Sequence, residues 1–471
     1  MAKLTFYGAA QEVTGSCYLL ESPALGRLLL ECGMHQGGDA VDRVGREQFE
    51  FKPNTIDGVI ISHAHLDHSG MLPKLVHQGF TGPIYCTDAT AELLEIMLDD
   101  AVGLYERDLE RENLRRERSG RKLIKPEYER ADVDKVLNQL ETSPYNQSTG
   151  IGQQAQVCFH DAGHILGSAI VELTLTEKEK EQEQTKTLVF SGDLGNDDAV
   201  LMKDATTLQQ ADVVLMEGTY GNRNHRSIDN SAQQLENILA KTWQRGGNVM
   251  IPAFAVGRTQ EILFHLGCLY HQGKLDNWQV FLDSPMAIEV TQVYNRWLSL
   301  LDSKDTQYID QQKLSSLEAF LPVLHTTAST DESMAINRIS KGAIIIAGSG
   351  MCTGGRIRHH FKHRIWQENN TVIFVGFQAK GTLGRMLIDG VKKYKMFGDD
   401  FFVRAQIETI GGLSAHAGQK ELIAWVSHFT NKPRLFLIHG EVSALETLAT
   451  KLLQEKSISA EIPHRGHRIT F

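Results

Sequence analysis

Four side chains of types that commonly bind metal lie within six residues of this chain, in the run His63-x-His65-x-Asp67-His68. Neutral imidazole and carboxylate are good ligands for zinc-class ions, and so dense a cluster rarely arises by accident. The apolar run 58–62 precedes it and predicts a buried strand that ends in a loop at His63. On an extended strand end His63 and His65 point the same way, and the turn that follows lets Asp67 and His68 face a neighbouring point. One segment can therefore serve two ions a few ångströms apart.

Further ligands are expected where other strands end. His164 lies in a glycine-containing loop, Asp193 follows the apolar run 187–191, and His439 follows the run 436–438. Taken singly each is a weak signal, because the Gly-Asp-Leu-Gly sequence around Asp193 also fits a plain turn. Together with the first cluster these residues make seven ligands, which is what two metals sharing a carboxylate and a water need.

Composition and length set the broad class. A chain of 471 residues exceeds what one core usually supports, so two domains are expected. The net charge of -10 excludes a protein coated in positive charge but not one with a local basic surface. Six scattered cysteines without a Cys-x-x-Cys pair indicate free thiols in a reducing compartment. The chain has neither a signal-peptide-like start nor a long apolar run, and we expect a cytoplasmic protein without a membrane segment.

The pattern of apolar and polar residues changes along the chain. The first part reads as short strands joined by tight loops, and residues 91–118 have a helical pattern whose later half is highly charged. The polar stretch 177–186 between two strand-like runs is typical of an exposed hairpin tip. After about residue 220, apolar strands alternate with helices, which predicts a mostly parallel α/β sheet.

The order of the ligands and several longer motifs resemble those of the metallo-β-lactamase superfamily, and more narrowly its β-CASP branch of RNA-processing nucleases. The type is similar to the nuclease subunit of the pre-mRNA 3′-end cleavage machinery, and the likeness extends over essentially the whole chain. The motifs that carry the resemblance are Glu217-Gly-Thr-Tyr220-Gly221, Pro252 to Glu261, Asp283 to Ala287, Gly348 to Arg356, Gly376 to Arg385, Gly412-Leu-Ser414-Ala415-His416-Ala417 and the His439 segment.

The resemblance implies an α/β fold, namely a metallo-β-lactamase αββα sandwich with an inserted α/β β-CASP domain. Residues 1–219 and 406–471 would form the first domain and residues 220–405 the second. It further implies that two Zn²⁺ ions bind per chain, with Mn²⁺ as an alternative occupant. The implied ligands are His63, His65 and His164 for one ion, Asp67, His68 and His439 for the other, and Asp193 as the bridge between them.

The chain departs from the family pattern at two positions. Glu31 stands where the family usually has Asp before Cys-Gly, so a longer carboxylate would have to brace the metal loop. Gly418 stands where an acidic residue commonly follows Ala-His-Ala, so whatever that acid orients must be supported otherwise. Neither change touches an expected ligand.

The expected reaction is two-metal hydrolysis, with a metal-bridging hydroxide as nucleophile and the ions neutralising charge on the attacked phosphate. The leaving sugar oxygen needs a proton, for which His416 is the candidate general acid. Glu217 would fix the tautomer of His416 and raise its pKa, and the resemblance supports this pairing. Asp67 is counted with them as catalytic because it holds the metal.

Substrate-binding residues are expected in the region 250–390. Residues 349–355 follow a strand and are glycine-rich, which suits a phosphate cradle, although such turns are common without a ligand. The run 356–364, rich in Arg, Lys and His, is the best candidate for a surface that holds phosphates. The expected contacts are Ser349, Gly350, Met351, Arg356, Arg258, Lys380 and Arg385. The candidates for stacking on bases are Tyr220, Phe254 and Phe377.

The leading hypothesis is a ribonuclease acting on single-stranded RNA, endonucleolytic with 5′-to-3′ exonuclease activity as a second mode. The alternatives keep the fold and change the substrate to DNA or to a small-molecule ester or thioester. A catalytically inactive binding partner is disfavoured by the full ligand set. The family often forms dimers, so a homodimer is a further expectation.

Overall fold

The structure is a computed structural model, and it describes residues 1–35, 40–179, 182–224, 228–311, 314–376, 378–411 and 415–471. Phe377, the Gly412–Ser414 part of one motif and the centre of the polar stretch 177–186 lie outside the described residues. The chain forms two compact units. The first contains residues 1–197, 204–224 and 416–471, and the second contains residues 198–203 and 225–415.

The strands of the described residues are, in chain order, β1 (Lys3–Gly8), β2 (Cys17–Ser22), β3 (Gly26–Leu30), β4 (Gly58–Ile60), β5 (Ile84–Cys86), β6 (Leu140–Thr142), β7 (Ser148–Ile151), β8 (Ala155–Asp161), β9 (Ala169–Glu179), β10 (Gln182–Phe190), β11 (Val213–Glu217), β12 (Val249–Pro252), β13 (Gln279–Leu282), β14 (Leu324–Thr326), β15 (Ala343–Ala347), β16 (Thr371–Phe374), β17 (Lys393–Met396), β18 (Asp399–Phe402), β19 (Gln406–Thr409), β20 (Arg434–Ile438), β21 (Ala460–Glu461) and β22 (Arg468–Thr470).

The α-helices of the same residues are α1 (Ala40–Arg46), α2 (Leu66–Ser69), α3 (Leu72–His77), α4 (Asp88–Arg118), α5 (Arg130–Asn138), α6 (Ile228–Gln244), α7 (Arg258–His271), α8 (Pro285–Arg296), α9 (Ser303–Gln311), α10 (Leu317–Phe320), α11 (Thr330–Ala335), α12 (Ile357–Arg364), α13 (Leu383–Ile388), α14 (Gln419–Val426) and α15 (Val442–Lys456). No helix in this part of the chain combines the length and apolar character that crossing a membrane requires.

The first unit is a sandwich of two seven-stranded sheets. Their strand orders are β22-β1-β2-β3-β4-β5-β6 and β21-β20-β11-β10-β9-β8-β7. Alternate side chains of both sheets, such as Phe6, Leu30, Phe190 and Phe436, share one buried core between them. Helices α14 and α15 cover the outer side of the second sheet through residues such as Leu422. Helix α4 contacts β6 of the first sheet. This is the expected αββα arrangement.

The sheet topology brings distant parts of the chain to one edge. Strands β10, β11 and β20 are parallel neighbours, so their carboxyl ends lie at the same edge of the second sheet. Asp193, Glu217 and His439 stand at or just beyond those ends. In the first sheet, β4 ends shortly before His63. The loop after β8 carries His164.

The second unit contains a six-stranded sheet in the order β14-β13-β15-β12-β16-β19. Its strand pairs are all parallel, as the alternation of strands and helices predicts. Helices α6 to α8 pack on one face and helices α12 and α13 on the other, so both faces of the sheet are buried.

The described boundary of the second unit differs from the expected end at residue 405. Gln406–Thr409 forms β19 and pairs in parallel with Thr371–Phe374, so the unit continues to Ala415. Residues 220–224, expected in the second domain, belong to the first unit. The short segment 198–203 also belongs to it.

Candidate metal centre

The first group of ligands joins His63, His65, His164 and Asp193. The Nδ1 atom of His65 lies 3.1 Å from Nε2 of His63 and 3.2 Å from Nε2 of His164. Two nitrogen ligands of one tetrahedral zinc ion, each about 2.0–2.1 Å from it, are roughly 3.3 Å apart. The three imidazoles therefore have the spacing that one ion requires.

The second group joins Asp67, His68 and His439. The Nε2 atoms of His68 and His439 are 3.2 Å apart, and Oδ2 of Asp67 lies 3.9 Å from Nε2 of His439. His439 follows β20 directly and has a φ of 48°. A non-glycine residue seldom adopts this left-handed conformation, which is concentrated at functional sites.

Asp193 connects the two groups. Its Oδ2 atom lies 3.5 Å from Nε2 of His63 and 3.4 Å from Nε2 of His68. Its Oδ1 atom is buried and accepts no hydrogen bond from the described residues. A buried carboxylate oxygen without a partner is costly, and a bound cation would satisfy it. Five histidines and two aspartates are also the ligand types that zinc-class ions prefer, so the residues fit a pair of such ions.

Side chains behind the ligands fix the imidazole rings. Nδ1 of His63 lies 3.0 Å from the Ser62 hydroxyl, and Nδ1 of His439 lies 3.1 Å from the Thr219 hydroxyl. The buried Glu31 carboxylate lies 3.1 Å from Nδ1 of His68. These contacts leave the Nε2 atoms facing the site, which is the usual way in which outer residues orient metal-binding histidines.

Burial also favours the form of imidazole that binds metal. It lowers the pKa of His65 to about 4, although the carboxylates of Asp67 and Asp193 oppose the shift. Burial likewise lowers the pKa of His63 well below its usual range, with the neighbouring His68 acting in the same direction. Neutral imidazole carries the lone pair that a metal needs.

His416 and Glu217 form the expected pair beside the ligands. Nδ1 of His416 lies 3.2 Å from Oε1 of the fully buried Glu217, which also accepts a hydrogen bond from the Leu194 amide at 2.7 Å. Burial lowers the pKa of His416, but the carboxylates of Glu217 and Asp193 raise it by more, to about 9. The imidazole ring is 4.5 Å from that of His164, centroid to centroid. The two carboxylates thus favour the protonated form of an imidazole that adjoins the ligand groups.

The two residues that depart from the family pattern both have carboxylate contacts. Glu31 reaches His68 and also accepts a hydrogen bond from the Ser62 amide at 2.7 Å. The amide of Gly418, at the start of α14, donates to the carboxylate of Glu421. Glu421 supplies an acidic side chain near the position where the motif lacks one.

Residues expected to bind substrate gather at the carboxyl edge of the parallel sheet in the second unit. Gln378 donates to the Gly350 carbonyl at 2.9 Å, and the Gly384 amide donates to the Met351 carbonyl at 3.2 Å. The Ser349 hydroxyl accepts a hydrogen bond from the Gly354 amide at 3.2 Å and so holds the glycine-rich turn closed. These contacts bring together the loops that follow β15 and β16.

The cationic side chains of this set divide into two kinds. Arg258 is buried and pairs with Glu261, and Arg356 donates to Asp283 and to the carbonyls of residues 327 and 328. Their guanidinium groups are therefore engaged inside the unit. Lys380 and Arg385 are exposed, although Arg385 pairs with Asp389 at 2.9 Å.

The basic run 356–364 is only partly a surface. Ile357, His360, Phe361 and Arg364 are the buried residues of α12. His360 donates to the buried Asp283 carboxylate at 2.6 Å, and Arg364 binds the Ile336 carbonyl at 2.6 Å. Several of the charges that made the run a candidate phosphate surface therefore hold the fold together instead.

Sequence reasoning missed Ser62, Thr219 and the Asp283 network. Thr219 lies within the motif around Glu217, and Ser62 precedes the first ligand, so their positions carried a signal. Asp283 also lies in a quoted motif, but only the fold shows that its carboxylate accepts from four side chains, namely Thr327, Ser333, Arg356 and His360.

Comparison with known proteins agrees with this architecture. Residues 10–144 match the profile of the metallo-beta-lactamase superfamily, residues 259–387 that of the Beta-Casp domain, and residues 402–463 that of the Zn-dependent metallo-hydrolase RNA specificity domain.

Similar proteins cover nearly the whole chain. It is 38% identical to the "Ribonuclease TTHA0252" of Thermus thermophilus over 98% of both chains. It is 32% identical to the "Transcription termination factor FttA" of Methanothermobacter thermautotrophicus over 98% of this chain and 70% of that one. A crystal structure of a protein of unknown function from Enterococcus faecalis shares the fold, with a TM-score of 0.54 and 12% identity over 99% of both chains. The chain therefore belongs to the β-CASP nuclease branch of the metallo-β-lactamase superfamily and is a metal-dependent hydrolase.

Proposed function

We propose that this protein is a two-zinc ribonuclease that hydrolyses phosphodiester bonds of single-stranded RNA. The observation that carries the proposal is the bridging position of Asp193, with Oδ2 3.5 Å from His63 and 3.4 Å from His68. A carboxylate between two groups of imidazoles is the arrangement that a two-metal site requires.

A pair of zinc-class ions held by these seven residues would activate water for attack and neutralise negative charge on the phosphate. The residues themselves hold and orient this centre. Ser62, Thr219 and Glu31 keep the rings of His63, His439 and His68 in position through their Nδ1 atoms. That preorganisation lowers the cost of ordering the site when the ions and substrate bind.

His416 supplies the proton in this mechanism. Because Nδ1 faces Glu217, Nε2 is the nitrogen that donates to the sugar oxygen as the phosphorus–oxygen bond breaks. With a pKa raised to about 9, His416 carries that proton at neutral pH. Burial alone would lower the pKa, so the Glu217 carboxylate keeps the acid charged.

Two similarities to known proteins favour RNA as the substrate. The C-terminal segment matches a profile described as an RNA specificity domain, and a relative that covers nearly the whole chain is described as a ribonuclease. Lys380 and the glycine-rich turn from Ser349 to Gly355 remain our candidates for phosphate contacts. Single-stranded DNA and small esters or thioesters are the competing substrates.

The proposal is tested with end-labelled single-stranded RNA, the matching DNA and a thioester. Wild type is compared with His65→Ala, which removes a ligand, and His416→Ala, which removes the acid. We expect RNA cleavage by wild type, none by His65→Ala, and a rate lower by about 10²- to 10⁴-fold for His416→Ala. His428→Ala, at an exposed position, is the matched control and should cleave like wild type.

Thioester turnover without RNA cleavage would overturn the proposal, and preferential cleavage of DNA would change the substrate class. Labelling the RNA at either end separates endonuclease from 5′-to-3′ exonuclease products. Metal analysis distinguishes zinc from manganese and counts the ions. The expected homodimer and cytoplasmic location stay predictions, the first of which sedimentation analysis would decide.

A further inference from the structure

A second group of ligand-type side chains lies outside the centre described above. Cys158 and His160 are two residues apart on β8, so both point to the same face of the sheet. Glu172 on β9 stands directly opposite Cys158 in the antiparallel register. One ligand atom from each of the three residues lies within 4.8 Å of the other two.

The three side chains lie on the face of β8 that points away from the core of the sandwich. Val157 and Phe159, the alternating residues, are buried between the two sheets. The side chains of His160 and Glu172 are 12% and 30% exposed, whereas Cys158 is 9% exposed as a whole residue. An ion from solvent can therefore reach the group without passing through the core.

The hydrogen bonds of His160 fix the direction of its ring towards Glu172. Nδ1 of His160 lies 2.7 Å from the side-chain oxygen of Asn146, and Nε2 lies 2.9 Å from Oε2 of Glu172. When Nδ1 carries the hydrogen and donates to Asn146, a neutral ring presents a lone pair at Nε2. That lone pair then faces the Glu172 carboxylate, and a metal ion can bind both atoms as neighbouring ligands. Metal-binding histidines are commonly held through their other nitrogen in this way. In the other tautomer Nε2 itself donates to Glu172 and the ring binds no metal there.

We propose that Cys158, His160 and Glu172 form a further binding site for a zinc-class divalent ion. A thiolate, an imidazole and a carboxylate are a ligand set for zinc or cobalt and a poor one for magnesium or calcium, which prefer oxygen alone. The site shares no residue with the two groups around Asp193. Water would complete the coordination on the exposed side.

Binding at this site releases a proton. Burial, followed by the nearby Glu172 carboxylate, raises the pKa of the Cys158 thiol. The free thiol is therefore protonated at neutral pH, and the sulfur–metal bond forms as the sulfur–hydrogen bond breaks, with the proton leaving to solvent.

The position of the group suggests a structural role for the ion. β8 ends at Asp161, and the loop that follows carries His164 before β9 begins at Ala169. An ion held by β8 and β9 would link the two strands at the ends that frame this loop. It would support the loop without touching the reacting atoms.

Cobalt gives a test that reports this site alone. The ligands around Asp193 are His and Asp, whereas Cys158 is the one cysteine in such a group within the described residues. We therefore load the metal-stripped full chain with Co²⁺ under anaerobic conditions and record its absorption. A thiolate-to-cobalt charge-transfer band in the near ultraviolet is expected for wild type.

The variants decide the assignment. Cys158→Ser should lose the band and one equivalent of bound metal, while Cys86→Ser, a buried cysteine outside any such group, should keep both. His65→Ala should keep the band although it damages the other centre, so failure here is separate from failure of the ribonuclease proposal. Absence of the band in wild type, or its persistence in Cys158→Ser, would overturn the proposal.

A milder variant covers the case in which Cys158→Ser does not fold. Glu172→Gln keeps the shape of the side chain and removes its charge. We expect the band to appear only at a Co²⁺ concentration at least about 10-fold higher than for wild type. An unchanged cobalt titration for Glu172→Gln would count against the site.

Discussion

The carboxylate of Glu31 lies 3.1 Å from Nδ1 of His68, and its other oxygen accepts a hydrogen bond from the Ser62 amide. One fully buried side chain therefore orients His68 and holds the chain just before His63, and both are expected metal ligands. Glu31 itself has a φ of 65°, a left-handed conformation that non-glycine residues seldom adopt. We therefore expect the longer acid to brace the loop that carries the metal ligands.

Replacing Glu31 by Gln should weaken metal binding. An amide oxygen can still accept from Ser62, but the amide nitrogen cannot accept a hydrogen bond from His68. Loss of such an outer contact typically costs about 10- to 100-fold in metal affinity. The measurement is metal content during dialysis against a chelator. Glu21→Gln, which alters only a pair with Arg27, is the control, and equal metal retention by both variants would contradict the role of Glu31.

The spacing of residues 63–68 was enough to predict a metal site, because side-chain direction alternates along a strand and turns at its end. His164, Asp193 and His439 could not be assigned on that ground. Their meeting depends on strand pairing between distant segments, which a single sequence does not specify. These three residues could be predicted as ligands only from the order of the motifs, through the resemblance to the β-CASP branch.

The basic run 356–364 was expected to form a surface, but part of it is buried. Ile357 and Phe361 are four residues apart, so His360 and Arg364 lie on the same stripe of a helix as these apolar residues. Counting charges predicted a surface, whereas periodicity would have placed part of the run inside. The expected boundary at residue 405 and the end of the compact unit differ because β19 is short and only its pairing with β16 assigns it to the second unit.

Glu217→Gln should lower the rate of RNA cleavage by reducing the proton affinity of His416. We expect a smaller loss than the roughly 10²- to 10⁴-fold loss of His416→Ala, with the KM unchanged. Because the two residues act together, the double variant should be no slower than His416→Ala alone. Single-turnover kinetics of the three variants measure this. Loss of bound metal in Glu217→Gln would instead make Glu217 a ligand.

Asp283→Asn should destabilise the second unit. The Asp283 carboxylate is buried and accepts hydrogen bonds from Arg356 and His360, so the substitution leaves the Arg356 cation without its charged partner and weakens the acceptor for His360. Breaking a buried pair in this way costs about 3–5 kcal/mol. Urea unfolding at neutral pH measures the difference. Asp399→Asn, at an exposed position, is the control and should unfold like wild type.

The same carboxylate predicts a dependence on pH. Burial raises the pKa of Asp283, but hydrogen bonds from His360, Ser333 and Thr327 lower it by more, to about 2, against 3.8 for the free side chain. Its contribution to stability is therefore complete above pH 3.8 and is lost as the pH falls through about 2. Asp283→Asn should lack this part of the acid dependence. If the two proteins lose stability in parallel over that window, the carboxylate is not the group that titrates.

Lys380→Ala should weaken RNA binding, whereas Arg356→Ala should lower stability, although both residues were expected to bind substrate. Lys380 is exposed, so its loss should leave stability unchanged and flatten the plot of log affinity for single-stranded RNA against log salt by about 0.7. Arg356 is bound to Asp283 and to two carbonyls, so its loss should lower the free energy of unfolding by about 3–5 kcal/mol. Fluorescence anisotropy with labelled RNA, in the His416→Ala background to prevent cleavage, measures the first effect, and urea unfolding measures the second. Lys392→Ala, an exposed lysine in the same unit, is the control for Lys380→Ala.

An Arg356→Ala protein of normal stability with a reduced salt slope would contradict the structural role of Arg356. It would instead place Arg356 in the phosphate-binding surface.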